Sequence, residues 1–210
     1  MNKQPIHIVW FKRDFRLVDN EALFHAHQSG VPLLLVCFFE PSVMNYPDSD
    51  VRHWRFIYES IQDLNKKLRL FNATIYFFHN EVKTVFSELI QEYEVKTVFS
   101  HQEIGNKLTF DRDLAMKEFF QSNGITWNEF QMHGVIRRLK SRQDWDKRWE
   151  QVMRDTPKMI QESELNTITL GTDFYDQIKG SNLPIEITTP NPNFQRGGEY
   201  WAWRYLDSFV

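Results

Sequence analysis

Five short runs, at residues 6–10, 32–39, 73–79, 95–100 and 125–130, are rich in apolar, β-branched and aromatic residues, the first three almost unbrokenly so. A strand with one wet face alternates apolar and polar residues, whereas an unbroken run suits a strand covered on both faces. Helical patterns fill the gaps. Residues 20–28 make the first, with Asp19 or Asn20 as cap, Glu21 complementing the positive helix end and Gly30 as a stop. The second covers residues 51–71, where Ile57, Ile61, Leu64, Leu68 and Phe71 recur at three- and four-residue steps. Val82, Val85, Phe86, Leu89, Ile90 and Tyr93 follow the helical template in the third; the fourth runs over 108–122 to Asn123-Gly124, a terminating pair. Five strands alternating with four helices imply right-handed crossovers. The expected fold is α/β: a five-stranded parallel doubly wound (Rossmann-like) sheet flanked by helices.

Ligands of such open sheets bind outside the carboxyl ends of the strands. Here the stretch from Val9 to Asn20 passes from strand to helix with no glycine. A dinucleotide site places glycines at that turn so that backbone amides can approach a pyrophosphate. Lys12, Arg13, Asp14 and Arg16 occupy it instead, so a ligand at this edge meets side-chain charges. Phe39-Glu40-Pro41 after the second strand and His101-Gln102-Glu103 after the fourth reach the same edge.

Composition narrows the function classes. A chain of 210 residues holds one domain, or one with an appendage, and 18 Phe and 7 Trp supply an ample core. A net charge of −3 argues against electrostatic nucleic-acid binding by the chain as a whole. The single cysteine, Cys37, excludes an internal disulfide, fits a reducing compartment and reads first as a small buried hydrophobe. Residues 1–5 do not form a signal peptide, and no run approaches the ~18 apolar residues that span a bilayer. The expectation is a cytoplasmic monomer with no membrane contact. His25 and His27 point different ways on a helix, and there is no metal motif, phosphate loop or serine elbow, so catalysis by this chain alone is not expected.

The glycine-free turn resembles the N-terminal signature of the photolyase/cryptochrome family. There, tryptophan or tyrosine, phenylalanine, two basic residues, aspartate, leucine and arginine lead into aspartate-asparagine; Phe15 stands where leucine is usual. Pro32 through Phe38-Phe39-Glu40-Pro41 is similar to the family's second strand, residues 52–68 to its long second helix, and Arg112-Asp113 after Glu103 to the Arg-Asp that opens its fourth. Gly197-Gly198-Glu199, with Ala202, Leu206 and Phe209, resembles the start of its helical flavin domain. The similarity covers nearly the whole chain in order.

The resemblance implies an N-terminal antenna domain followed, in a full bacterial protein, by an all-helical domain holding FAD. Reduced flavin excited by blue light would donate an electron to a pyrimidine dimer flipped out of damaged DNA. A second chromophore (a folate, deazaflavin, flavin or lumazine, depending on the branch) would sit at the antenna domain. Light-driven DNA repair is the expected activity; the alternatives are a signalling cryptochrome and a stand-alone nucleotide-binding α/β domain. On this resemblance the candidate chromophore contacts are Arg13, Cys37, Phe38, Glu40, Met44 and Glu103. Arg13 suits because a guanidinium both pairs with carboxylates and stacks on flat rings. Asp14 is read as structural, since a carboxylate at a crowded strand end must be paired. Glu40 and Glu103 are either acceptors for chromophore N–H or hydroxyl groups, or else helix-start charges or partners for Arg13. Phe38 and Cys37 read equally as plain core.

Departures refine the branch. Leu108 and Thr109 stand where many folate-binding members carry Asn-Glu, so that folate site is not expected in its usual form. The stretches 100–106 and 133–142 resemble a bacterial branch lying between photolyases and cryptochromes. The expected organisation is an antenna domain at 1–131, an extension and linker at 132–196, and the truncated start of the FAD domain at 197–210. Residues 156–196, with four of the eight prolines, show little periodicity. Ala202, Leu206 and Phe209 form the core stripe of the last helix, which would leave this chain a fragment. Trp201 and Trp203 are not the family's electron-transfer tryptophans. The basic run 137–142 beside Trp145 and Trp149 reads as a solvated face with two tryptophans packed together, or as a DNA-edge or docking segment.

Overall fold

A computed structural model describes residues 3–132, 134–137, 139–161 and 164–209. The chain runs through β1 (Pro5–Phe11), α1 (Glu21–Gln28), β2 (Leu33–Phe38), α2 (Pro41–Met44), α3 (Val51–Leu68), β3 (Ile75–Phe78), α4 (Val82–Glu92), β4 (Glu94–His101), α5 (Lys107–Ser122) and β5 (Thr126–Phe130). Among the described residues, α6 (Trp145–Met153), α7 (Thr172–Ile178), α8 (Ile185–Thr188) and α9 (Glu199–Phe209) follow. The five strands form one all-parallel sheet in the order β3-β2-β1-β4-β5, so the expected fold is the observed one.

The two-residue period of β1 splits the core in two. Ile6, Ile8 and Trp10 join Leu34, Val36 and Phe38 against Val85, Phe86 and Leu89 of α4 and Met116 and Phe120 of α5. Val9 and Phe11 join Leu33, Leu35 and Cys37 on the opposite face, against Leu23 of α1 and Ile61, Leu64 and Leu68 of α3. Both faces are dry along β1 and β2, which is why these strands carry no polar alternation, whereas the edge strand β5, Thr-Trp-Asn-Glu-Phe, is buried nowhere along its length.

Helix starts obey their caps. Asn20 Oδ1 accepts from Leu23 N at 3.0 Å, so Asn20 rather than Asp19 caps α1. Asp50 caps α3 and Asn106 caps α5 in the same way. α3 ends in a single 3-10 turn, Arg69–Phe71, stopped by Asn72 at φ 57°.

The segment with little periodicity is not an extended tether. Leu33 N donates to Asn166 O and Ile168 N to Leu33 O, adding a parallel bridge beside the amino end of β2. Further on, His79 N donates to Lys179 O, and Tyr175 Oη to Phe77 O. Thus α7 covers the edge strand β3, whose open ladder is a hazard if left bare. Leu165, Leu170, Ile178 and Ile187 are buried in these contacts. At Gly197 a Cβ would lie 2.0 Å from Phe56 O, so only glycine lets the chain cross α3 this closely. Gly197 N then donates to Glu59 and Tyr200 N to Asp63, which fixes the start of α9 on α3. The stripe of Ala202, Leu206 and Phe209 is exposed. Trp145 and Trp149 do pack together, with ring centroids 6.4 Å apart and Trp145 Nε1 donating to Gly134 O. His133 and Arg138 lie outside the described residues. Among the described residues no helix is long and apolar enough to cross a membrane.

Candidate functional site

Strand order reverses between β1 and β4, because β1 connects onward to β2 on one side while β4 arrives on the other. At such a switch the loops leaving the two strands diverge and open a crevice. A cleft of about 680 Å³ lies there. Trp10, Phe15, Phe38 and Trp54 supply apolar walls, and Arg13, Glu40, Glu103 and Arg112 the charged ones. Its far rim is tied by Asn106 Nδ2, which donates to Asp48 Oδ2 at 3.1 Å while its Oδ1 caps α5.

The turn after β1 is rigid for local reasons. Asp14 Oδ1 accepts from Lys12 N at 2.9 Å, and Asp14 Oδ2 lies against His101 Nδ1 at the end of β4. Asn20 Nδ2 donates to Arg16 O, joining the turn to the α1 cap. Asp14 is 3% exposed and wholly engaged within the protein. It is a structural residue, as its position requires.

Arg112, in the second turn of α5, is the hub. Its guanidinium donates to Glu40 Oε1, to Glu103 Oε2 at 2.5 Å and to Asp113 Oδ1 at 2.8 Å. Arg13 Nε donates to the other oxygen of Glu103 at 2.8 Å, and its side chain remains more than half exposed at the mouth of the cleft. Lys12 Nζ, 3% exposed, bonds Asp113 Oδ2 at 2.9 Å. Arg137 donates to Glu129 at 3.1 Å and to Glu103 O at 2.5 Å. Four cations and four carboxylates therefore interlock along the strand ends, so no buried charge in the set lacks a partner.

Burial moves these groups in ways that geometry explains. Desolvation pushes the Glu40 carboxyl up to about 7 against the pull of Arg112, because Glu81 and Glu103 add like charge nearby. Glu103 is also opposed by burial, but Arg112 and Arg13 together hold it below the usual carboxylate range. Burial lowers Lys12 against the attraction of Asp113. The Cys37 thiol is pushed well up by burial and by the nearby Asp14.

The cleft brings Arg13, Phe38, Glu40 and Glu103 together. Cys37 and Met44 do not line it: Cys37 packs in the opposite core beside Phe11 and Phe39, and Met44 is partly buried against that same cluster. The side chain of Cys37 follows from its register, one residue before Phe38 and so on the other face. Sequence reading missed the hub. Arg112 was legible only as half of an Arg-Asp pair, and Lys12 only as turn charge. The available signal was position: Arg112 lies in the second turn of the helix that follows the strand end carrying Glu103, rising from the same edge.

Comparisons with known proteins agree with this architecture. A family model described as DNA photolyase matches residues 7–159. Cryptochrome-1 of Macaca fascicularis is 26% identical over 116 residues, which cover 55% of this chain and 20% of that protein. The archaeal photolyase of Sulfolobus tokodaii matches 96% of this chain with 46% of its own, at TM-score 0.71 and 20% identity. The cryptochrome of Synechocystis sp. PCC6803 matches the whole of this chain with 47% of its own, at TM-score 0.74 and 18% identity. This chain thus spans about a fifth of the length of the curated relatives it matches and under half of the matched structures. The family match takes in well over half of the 210 residues, and the chain belongs to the DNA photolyase family of photolyases and cryptochromes.

Proposed function

We propose that the cleft at the strand ends seats a flat light-harvesting chromophore, and that this chain is the antenna portion of a flavoprotein whose FAD is bound elsewhere. The observation that carries the reading is the cleft itself. Its volume of about 680 Å³ suits a small organic ligand, and its aromatic walls with a few fixed polar groups suit a heteroaromatic ring. When bound, such a chromophore would absorb near-UV or blue light and pass the excitation on.

The chain's own residues have separable tasks. Phe38 and Trp54 offer ring faces, while Glu103, held ionised by Arg112 and Arg13, offers an acceptor for a ring N–H. Glu40, raised to about 7, is able to donate or accept near neutral pH. Arg13 is the exposed cation at the mouth, placed for stacking or for an anionic tail. The Sulfolobus tokodaii photolyase, a structure with two FAD molecules described as implying a novel light-harvesting cofactor, supports a flavin among the candidates alongside folate, deazaflavin and lumazine.

For the whole protein we propose blue-light-driven repair of pyrimidine dimers in damaged DNA, acting in the cytoplasm as a monomer, with FAD as the chemical centre. The rival reading is a signalling cryptochrome, the name that curated relatives of this chain carry. Light-dependent restoration of dimer-containing DNA by the full-length protein distinguishes the two. For the cleft, the chain is mixed with each chromophore class and the bound absorption measured after gel filtration. Arg13→Ala is expected to lose the chromophore with its circular dichroism unchanged. Full stoichiometry in that variant would sink the assignment.

A further inference from the structure

Trp10 forms part of the cleft wall, and its ring meets three aromatic rings and two cations. Lys12 Nζ lies 4.4 Å from the Trp10 ring centroid and 4.8 Å from that of Trp127. The Arg112 guanidinium carbon lies 5.1 Å from the Trp10 centroid. Trp10 and Trp127 are themselves stacked, at 5.9 Å and 18°. An indole of this kind is a hazard beside an excited ring. Trp10 would give one electron to an oxidising excited chromophore and be left as an indole radical cation, and the excitation would be lost as heat when the electron returned. Stacking on Trp127 would make the loss easier by sharing the positive charge over two rings.

We infer that Lys12 and Arg112 act as electrostatic guards on Trp10, keeping the indole reduced so that an oxidising, flavin-type ring in the cleft remains bright enough to hand on its energy. The physical basis is that a cation over an aromatic face attracts the neutral ring but repels the same ring once it is positively charged. Two cations do so here, in a site shielded from water, and the carboxylates paired with them, Asp113, Glu40 and Glu103, offset only part of that repulsion because the cations are the charges laid over the ring face. A partner for Asp113 alone did not require Lys12 to lie over two indoles, since Arg112 and Arg137 also reach that carboxylate. The inference rests on the chromophore reading above and narrows it to a ring that oxidises tryptophan when excited.

The test uses the 210-residue chain with riboflavin as the probe, because its ring has no adenine to quench it. Bound-riboflavin fluorescence lifetimes are compared for the native chain, Trp10→Phe, Lys12→Met and the double variant. The native chain and Trp10→Phe are expected to share one lifetime. Lys12→Met is expected to shorten it several-fold, and the double variant to restore it; Lys12→Gln replaces Lys12→Met if the latter does not fold. A several-fold longer lifetime in Trp10→Phe would overturn the inference, as would an unchanged lifetime in both Lys12 variants. Failure of riboflavin to bind overturns it as well, while leaving a folate, deazaflavin or lumazine antenna standing.

Discussion

Ile8 and Lys12 lie four residues apart at one strand of one sheet, and both side chains are almost completely buried, yet opposite rules hold them there. Around Ile8 the neighbours are apolar on every side, and each contributes its own share of buried area. Around Lys12 the neighbours are Asp113, Glu129 and two indoles, and the contribution of each charge depends on the others being present. The sheet interior is therefore a sum of nearly independent terms. Its carboxyl rim is a single unit that is costly to break at any point, and that costs desolvation to assemble. The difference teaches why the site is at the rim: only there is a rigid, charged, partly open surface obtained without exposing the core.

The contrast can be broken by substitution. Arg112→Ala strands Glu40, takes one of two cations from Glu103 and one of three from Asp113, and is expected to cost about 3–5 kcal/mol in urea unfolding at pH 7.5. Much of that loss should vanish by pH 5, because Glu40 can then protonate instead of remaining as an unpaired charge. Leu34→Ala, in the interior, is expected to cost about 2–5 kcal/mol through lost burial and a cavity. Its cost should be the same at both pH values. An equal pH slope for the two variants would erase the distinction between rim and interior.

Glu40 sharpens it. Its carboxyl is raised from the ordinary 4.5 to about 7 in the fold, so between those values the folded chain keeps a proton that the unfolded chain has released. Stability from this group therefore falls as pH rises through that window. Glu103, held low, works with the opposite sign: its contribution is present above the ordinary carboxylate range and lost in acid. Glu40→Gln should gain on the native chain by on the order of 2 kcal/mol between pH 5 and pH 8, read from paired unfolding curves. A flat difference would show that Glu40 does not carry that proton.

Arg13→Ala is the smallest expected change in stability, below about 1 kcal/mol, because the side chain is largely solvated and Glu103 keeps Arg112. A loss several times larger would place Arg13 inside the interlocked unit rather than at its edge. Unfolding midpoints with an unchanged denaturant slope are the check.

Legibility followed the same division. The strands at 6–10, 32–39 and 73–79 were visible because burial leaves a continuous apolar signature, and those at 95–100 and 125–130, which are half polar and partly exposed, because β-branched and aromatic residues recur between helical patterns. Ends moved by a residue or two, as at β3, where the run 73–79 pairs only over Ile75–Phe78. α7 and α8 were not visible: one is seven residues long and the other four, too short for a helical period to declare itself. Within the site, Arg13, Glu40 and Glu103 were placed at the edge because each directly follows a strand. Arg112, Lys12 and Asp113 were not recognised as its centre, since a charge pattern does not reveal which carboxylate a guanidinium will find.

The sequence by itself determined the parallel α/β sheet, the glycine-free charged turn and the family, since each is written in local order and spacing. Only the tertiary structure decided that Arg112 binds three carboxylates, that Cys37 faces away from the cleft while Phe38 lines it, and that two cations cover Trp10. Those outcomes depend on residues from β1, β2, β4 and α5 meeting across long chain separations, and such meetings are fixed by packing rather than by neighbours in sequence.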